Sequence, residues 1–395
     1  MATIKSVSTL IVDGDWIESK DQSPEGIRLI QTGNIGIGEY LDKTNRAKYI
    51  SEETFERLKC TELVEGDVLV SRLPDPIGRA CIVPKNVGRA VTAVDCTIIR
   101  LDPNKCDTEF FVQYTQSDLY QTRLAQFFAG STRTRISRKN LEQIEIPLPD
   151  IAEQRCVASI LGKVDELIIL RKEQLAKLDQ LVKSRFIELF GDPKHSDKYG
   201  TRKLSSCVAN KADMVDGPFG SQVNTKVDYI ENGEIPVIRT VNVKMMQFSA
   251  DDLKFMSREK YETVIRSQVL PGDVVLTKVG TIGNVCIFPD NYQEAVLSTT
   301  GSCRIRVDES VVNKVFFAYN LMYLKDKLLE IASTGVQPFL NMNHIKNIDV
   351  LDVPLEQQAL FTVFIEQTDK TKLLIQQSLD KLETLKKSLM QEYFG

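Results

Sequence analysis

Few side chains in this sequence are spaced to share a reaction. Asp13, Asp15, Glu18 and Lys20 fall within eight residues and are the residue types of a metal-dependent nuclease. A two-metal clamp, however, draws its acids from separated strands, so these four read as a surface turn. Imidazole chemistry would have to rest on the only two histidines, His195 and His344, for which a satisfied surface position or a nucleic-acid contact is the simpler role. Gly33, Gly36 and Gly38 stand in the wrong order for a dinucleotide turn. There is no GxxxxGK[ST] loop for nucleotide phosphates and no Asn/Asp-Pro-Pro-Tyr/Phe motif for amino methylation. Eight cysteines without CxxC spacing fit reduced core residues better than zinc or disulfides. No catalysis, metal or cofactor is therefore expected.

What the residue types do favour is contact with a polyanion. Ser131-Thr132-Arg133-Thr134-Arg135-Ile136-Ser137-Arg138-Lys139-Asn140 holds four cations and several hydroxyls with no acid. Arg and Lys neutralise phosphates, and Arg also grips guanine bidentately in the major groove. A solvated turn is the alternative, because charge runs usually face water. Further on, Ser333 to His344 is polar and nearly uncharged, and its Gln337, Asn341, Asn343 and His344 are types that read base edges. Ends of short strands add Arg72, Arg79, Lys85 and Arg89, then Arg239, Thr240, Asn242 and Lys244, and Lys278. Trp16 and Phe219 could stack on bases, but large aromatics more often pack into small domains.

The elements that must carry these residues come twice. Ile77-Gly78-Arg79-Ala80-Cys81-Ile82-Val83-Pro84 recurs roughly 205 residues later as Ile282-Gly283-Asn284-Val285-Cys286-Ile287-Phe288-Pro289. Glu65-Gly66-Asp67-Val68-Leu69 matches Pro271-Gly272-Asp273-Val274-Val275, Glu153-Gln154 matches Gln357-Gln358, and Phe190-Gly191 matches Phe394-Gly395. Duplication leaves such a common framework with length changes in loops. With 395 residues, 42% apolar and 26% charged, the chain can bury two ordinary cores. The net charge of −4 does not exclude a basic face. The N-terminus lacks a signal-peptide pattern and no apolar run approaches membrane-spanning length, so a cytoplasmic protein without membrane contact is expected.

Each repeat opens with short β-branched runs, Asp67 to Val70, Val94 to Leu101, Val274 to Leu276 and Cys303 to Val307, punctuated by Gly, Pro and Asp. Helices are expected between them at Glu52 to Lys59, Glu109 to Phe128, Arg258 to Val264 and Val312 to Ala332. This is an α+β globule with a mostly antiparallel or mixed sheet. The tail of each repeat is a long amphipathic helix. Leu161, Ile168, Leu175, Val182 and Leu189 recur every seven residues, with Val164 and Leu178 three after two of them; Ile375, Leu379, Leu382, Leu385 and Leu389 line the second. Either helix could pack on its own globule. Two equivalent helices in one chain also bury each other by pairing antiparallel, as a rod of roughly 40 Å at about 1.5 Å per residue, close to the roughly 34 Å that separates half-sites on DNA.

Ile144-Glu145-Ile146-Pro147-Leu148-Pro149-Asp150-Ile151-Ala152-Glu153-Gln154, followed by a long helix, resembles the junction of a target recognition domain with a conserved helical region in specificity (S) subunits of type I restriction-modification systems. Ile348 to Gln358 is its counterpart, and Asp216-Gly217-Pro218-Phe219-Gly220-Ser221 looks like an opening of the family's recognition domains. The resemblance spans nearly the whole chain in the order globule, helix, globule, helix. It departs at Asp13-Gly14-Asp15-Trp16-Ile17-Glu18, where the first repeat lacks the Gly-Pro-Phe-Gly form, and in the spacing of Pro149 and Pro354 from the following Gln.

The resemblance implies a recognition domain at 1–150, a central helical region at 151–191, a second recognition domain at 192–354 and a C-terminal helical region at 355–395, with a pseudo-twofold repeat and an antiparallel coiled coil. It further implies a non-catalytic subunit that reads the two unlike parts of a split double-stranded DNA target, docks two methyltransferase (M) subunits and is joined by restriction (R) subunits. Two other readings stay open. A duplicated protein scaffold that never meets DNA would leave the acid-free Arg133 to Lys139 run without purpose, and a self-contained enzyme would need a constellation that is not found.

Overall fold

The structure is a computed structural model that describes residues 1–128, 134–195, 198–333 and 338–395. It divides into two units, Met1–Gln174 with Ile375–Gly395, and Leu175–Leu374. In the first unit a four-stranded antiparallel sheet runs in the order Ser8–Asp13, Cys96–Leu101, Val68–Ser71, Ala80–Ile82. The second unit has the same order in Met214–Asp216, Ser302–Ile305, Val274–Thr277 and Val285–Ile287. A second sheet in each contains one parallel pairing, Ile27–Ile30 with Ala90–Thr92 and Ile235–Ile238 with Ala295–Leu297. The expected α+β repeat with mixed sheets is the fold observed.

Two helices expected to be continuous are broken. Thr108–Tyr114 and Asp118–Ala125 replace the first, because Ser117 adopts an extended backbone and its hydroxyl caps a new helix by accepting from Tyr120 N. Lys314–Tyr323 and Lys325–Ile331 replace the second, separated at Leu324.

The repeated motifs have common structural tasks. Gly66 and Gly272 both hold φ at +86°, a conformation open to glycine. The next residue, Asp67 or Asp273, is buried and accepts from the turn at Val64 N (2.9 Å) or Leu270 N (2.7 Å). Each also takes a bidentate bond from Arg100 (2.7 and 2.9 Å) or Arg306 (2.8 and 2.8 Å). The shared glutamine plugs the helix root. Gln154 is 0% exposed, accepts from Asp107 N at 2.9 Å and donates to Lys105 O and Pro149 O. Gln358 likewise accepts from Asn313 N at 2.7 Å and donates to Val353 O at 2.6 Å. An amide at this position satisfies backbone groups that burial would otherwise leave unpaired.

The long helices run Ile151–Phe190 and Leu355–Phe394. Buried and half-buried positions alternate by three and four along both: Gln154, Val157, Leu161, Val164, Ile168, Arg171, Leu175, Leu178 and Val182, and Gln358, Phe361, Ile365, Thr368, Lys372, Ile375, Leu379, Leu382, Lys386 and Leu389. This is a coiled-coil seam. Within the first unit Asp165 meets Lys386 at 2.6 Å and Arg171 meets Ser378 at 3.2 Å; within the second, Asp179 meets Lys372 at 2.6 Å. One residue number rises as its partner's falls, so the pairing is antiparallel. Leu385 is a correction: it is 46% exposed and lies off the seam.

Both burial alternatives operate, in different stretches of each helix. Leu161 packs into the first globule's core alongside Phe394, whose ring centroid lies 5.2 Å from that of Phe110. Phe190 packs in the second unit against Phe316 at 4.8 Å and Phe361 at 5.6 Å. The Phe-Gly that ends each repeat therefore completes a core built mainly from the other repeat's globule.

Candidate nucleic-acid interface

A strip of loops crosses one end of the four-stranded sheet in each unit. In the first, Gly14 N donates to Cys96 O and Asp15 N to Thr92 O, Arg72 N to Asp95 O, and Ile136 N to Arg72 O. The matching strip of the second unit has Gly217 N on Ser302 O, Lys278 N on Gly301 O and Leu340 N on Lys278 O. The order is thus the Asp-Gly loop, the loop before the second strand, the loop after the third strand, and the segment leading into helix Arg138–Gln143 or Met342–Lys346. Asp13-Gly14 and Asp216-Gly217 are equivalent, so the apparent departure at the opening of the first repeat keeps this geometry. A Cβ on Gly14 would lie 2.3 Å from Ala93 O, and one on Gly217 only 2.1 Å from Thr299 O. Only glycine allows the loops to approach so closely.

Beneath each strip a buried cation pairs with a half-buried aspartate. Arg72, 7% exposed, meets Asp13 at 3.2 Å and donates to Val94 O, while Lys278, 4% exposed, meets Asp216 at 2.9 Å. These two cations, expected to face a ligand, instead tie loops together, each being itself buried and so in need of the partly exposed aspartate it meets. Arg79 is a second correction. Its guanidinium donates to Ile35 O, Leu73 O, Pro76 O and Thr32 O, and Asn284, its equivalent, donates to Val243 O at 3.1 Å. Asn242 is a third: it is 0% exposed, its carbonyl accepts from Arg239 N and its amide bonds Ser249 O and Asp251 O. Asn34 makes the same turn in the first repeat.

Other candidates remain at the surface. Arg135 and Lys139 are exposed and Asn140 is half-buried, in the segment whose hydroxyl Ser137 caps the following helix. Arg138 pairs with Glu142 at 3.3 Å. Asn341 is the equivalent cap, accepts from His344 N at 2.8 Å and faces the His344 ring at 3.2 Å; Asn343 and Lys244 are exposed. Arg239 is held by Asp252, and exposed Arg89 by Glu52 and Glu62; Lys85 is exposed. Arg133 and Gln337 lie outside the described residues.

Sequence reasoning passed over Val279, Gly280, Ser298 and Thr299, which with Thr225 and Thr240 line a cleft of about 670 Å³ on the second strip. Aligning the repeats around Lys278 was the signal that could have found them.

All eight cysteines are free, and all but Cys156 are buried; burial pushes the thiols of the equivalent Cys81 and Cys286 up to about 12. No cluster of metal-ligating side chains occurs among the described residues, and no helix there is long and apolar enough to cross a membrane.

Two loop-bearing globules joined by paired helices define a duplicated recognition scaffold. The sequence pattern of the type I restriction modification DNA specificity domain matches residues 3–180 and again 219–384. The chain belongs to that family and carries two recognition domains in tandem. It is 24% identical over 307 residues to the type I restriction enzyme MjaVIII specificity subunit of Methanocaldococcus jannaschii, covering 74% of this chain and 71% of the relative. A second protein of that organism, bearing the name of the MjaX specificity subunit, is 21% identical over 383 residues, 94% of this chain and 87% of the relative. A chain from a solved structure on complex assembly and conformational transition of the type I R-M system superposes with a TM-score of 0.60 at 16% identity, covering 100% of this chain and 96% of that one.

Proposed function

We propose that the chain reads a split, asymmetric double-stranded DNA target in the cytoplasm, each half through one strip of loops, with recognition domains at 1–150 and 192–354. The observation that carries this reading is the doubled specificity-domain match over two globules whose strips share a framework and differ in side chains. Arg135, Arg138, Lys139 and Asn140 meet phosphates and bases from the first strip, and Arg133, two residues before Arg135 in the sequence, is assigned the same role. Arg239, Asn341, Asn343 and His344 do so from the second, and Lys244 and Gln337 are assigned the same role for that half of the target.

The helical regions at 151–191 and 355–395 dock two methyltransferase subunits, and restriction subunits join that complex. Support comes from the outer faces of the helices. Ile169 and Leu170 are 53% and 51% exposed, and their equivalents Leu373 and Leu374 are 58% and 66% exposed. Two matching apolar pairs suit two copies of one partner. Chemistry belongs to those partners.

The test is a genome-wide map of methylated adenines, with and without this gene, the cognate methyltransferase being present in both. A split asymmetric motif that vanishes with the gene is the expected result. Unchanged methylation would reject the reading.

A further inference from the structure

We propose that Trp16 and Phe219 are the apolar base-contacting residues of the two strips, one for each half of the DNA target; this rests on the DNA reading above. Trp16, the sole tryptophan, is 70% exposed and Phe219 is 59% exposed. The sequence favours packing for both rings, and the structure overturns that. They occupy matching places, three residues beyond the aspartate that receives the buried cation of each strip.

Neither ring is out by accident of a loose loop. Asp15 bridges Ala93, and its carboxylate accepts from Thr61 N at 3.0 Å. Ile17 packs against the cluster of Ile27, Leu29 and Ile50. In an extended segment, inward Asp15 and Ile17 force Trp16 outward, where its Nε1 donates to Glu18 at 3.2 Å. In the second unit Gly217 is wedged against Thr299 O and Pro218 is buried. Phe219 N donates to Gln222 Oε1 at 3.0 Å and its carbonyl accepts from Gln222 N at 2.8 Å. The two loops have different sequences and different local bonds, yet both present a large ring from a pinned backbone.

Folding gains little from rings so exposed, so binding is the remaining use. The same strips carry exposed Arg135 on the first and exposed Phe339 on the second. An aromatic ring gives apolar contact to a base edge, where the groove offers features such as the thymine methyl, beside cations that hold phosphates. The two strips thus have unlike probes at matching places, suited to reading unlike half-sites.

The chain is purified with its methyltransferase partners, as wild type, Trp16→Ala and Phe219→Ala. Binding is measured on the duplex found by the methylation map and on two duplexes with one half scrambled. Each variant should lose roughly tenfold in affinity for the intact duplex. Trp16→Ala should become insensitive to scrambling of one half only, and Phe219→Ala to the other only. Melting temperatures should match wild type, as truncation of an exposed side chain predicts. Affinity within twofold of wild type, equal loss of sensitivity to both halves, or a lowered melting temperature would each overturn the assignment. A wild-type complex that distinguishes none of the three duplexes would instead refute the DNA reading itself.

Discussion

Truncating the penultimate residue, Phe394→Ala, should loosen the first globule while sparing the second. Phe394 is 2% exposed, and its ring lies 5.2 Å from Phe110 and 5.7 Å from Tyr114 in the core built by residues such as Ile4, Val68 and Leu161. A buried Phe→Ala change costs about 3–5 kcal/mol, and the two aromatic contacts add to the area lost. The lower figure of about 3 kcal/mol is already roughly a hundredfold in an opening equilibrium. Amide hydrogen exchange reads this directly. Protection in Val68–Ser71 and Cys96–Leu101 should fall about a hundredfold, while Val274–Thr277 and Ser302–Ile305 should keep theirs. The mirror change, Phe190→Ala, should do the reverse and cost more, since Phe190 packs on the rings of Phe186, Phe316 and Phe361 where Phe394 packs on those of Phe110 and Tyr114. If Phe394→Ala lowered protection in the second globule, or in both alike, the argument that each repeat's last residues complete the other globule would fail.

Other outcomes follow from single sites. The Glu294 carboxylate accepts from Tyr261 Oη at 2.5 Å, Arg258 at 2.6 Å and Gln268 at 3.1 Å, and these bonds, the tyrosine's first, hold its pKa below the ordinary glutamate value. A depressed carboxylate stabilises the fold above its unfolded pKa and loses that contribution as pH falls through the folded value. Glu294→Gln should therefore lower the melting temperature at pH 7 and draw level with wild type in acid; a gap that widened in acid would contradict this. A thiol reagent should modify one cysteine rapidly in the native protein, Cys156, and the other seven only on unfolding; peptide mapping that found two fast sites would show a buried thiol to be accessible. Ile169→Glu with Leu170→Glu should leave folding intact and abolish one methyltransferase docking event, and Leu373→Glu with Leu374→Glu the other, as read by the mass of the assembled complex. Retention of full stoichiometry in both would place docking elsewhere.

The gross plan was legible because it rests on local pattern. A seven-residue apolar period marks a helix with a seam wherever it lies, and short β-branched runs between Gly and Pro mark strands. The Leu161, Ile168 and Val182 positions are buried as that period requires. Leu385 misled because its leucine is apolar without being in phase with the seam: the three-residue step from Leu379 to Leu382 is followed by a four-residue step, which reaches Lys386. Of the two helix breaks, the one at Ser117 escaped notice because a capping hydroxyl competes with continuation of the helix, and composition does not say which prevails; the one at Leu324 has no capping side chain to mark it.

By itself, the sequence determined that this protein is one module written twice, that each copy ends in a helix needing a partner, and that an acid-free cluster of cations lies from Arg133 to Lys139. These properties are carried by residue order along the chain. Which polar side chains were left for a ligand was decided by tertiary structure alone. Arg72, Arg79, Asn242 and Lys278 have the chemistry to grip DNA, but folding gives Arg72 and Lys278 the distant Asp13 and Asp216, Arg79 the distant carbonyl of Ile35, and Asn242 the carbonyls of its own turn. A buried cation or amide must find such partners, since leaving it unpaired costs more than any distant ligand could restore. Trp16 and Phe219 show the converse, for backbone approaches at Ala93 and Thr299 turn outward two rings that apolarity alone would have placed inside.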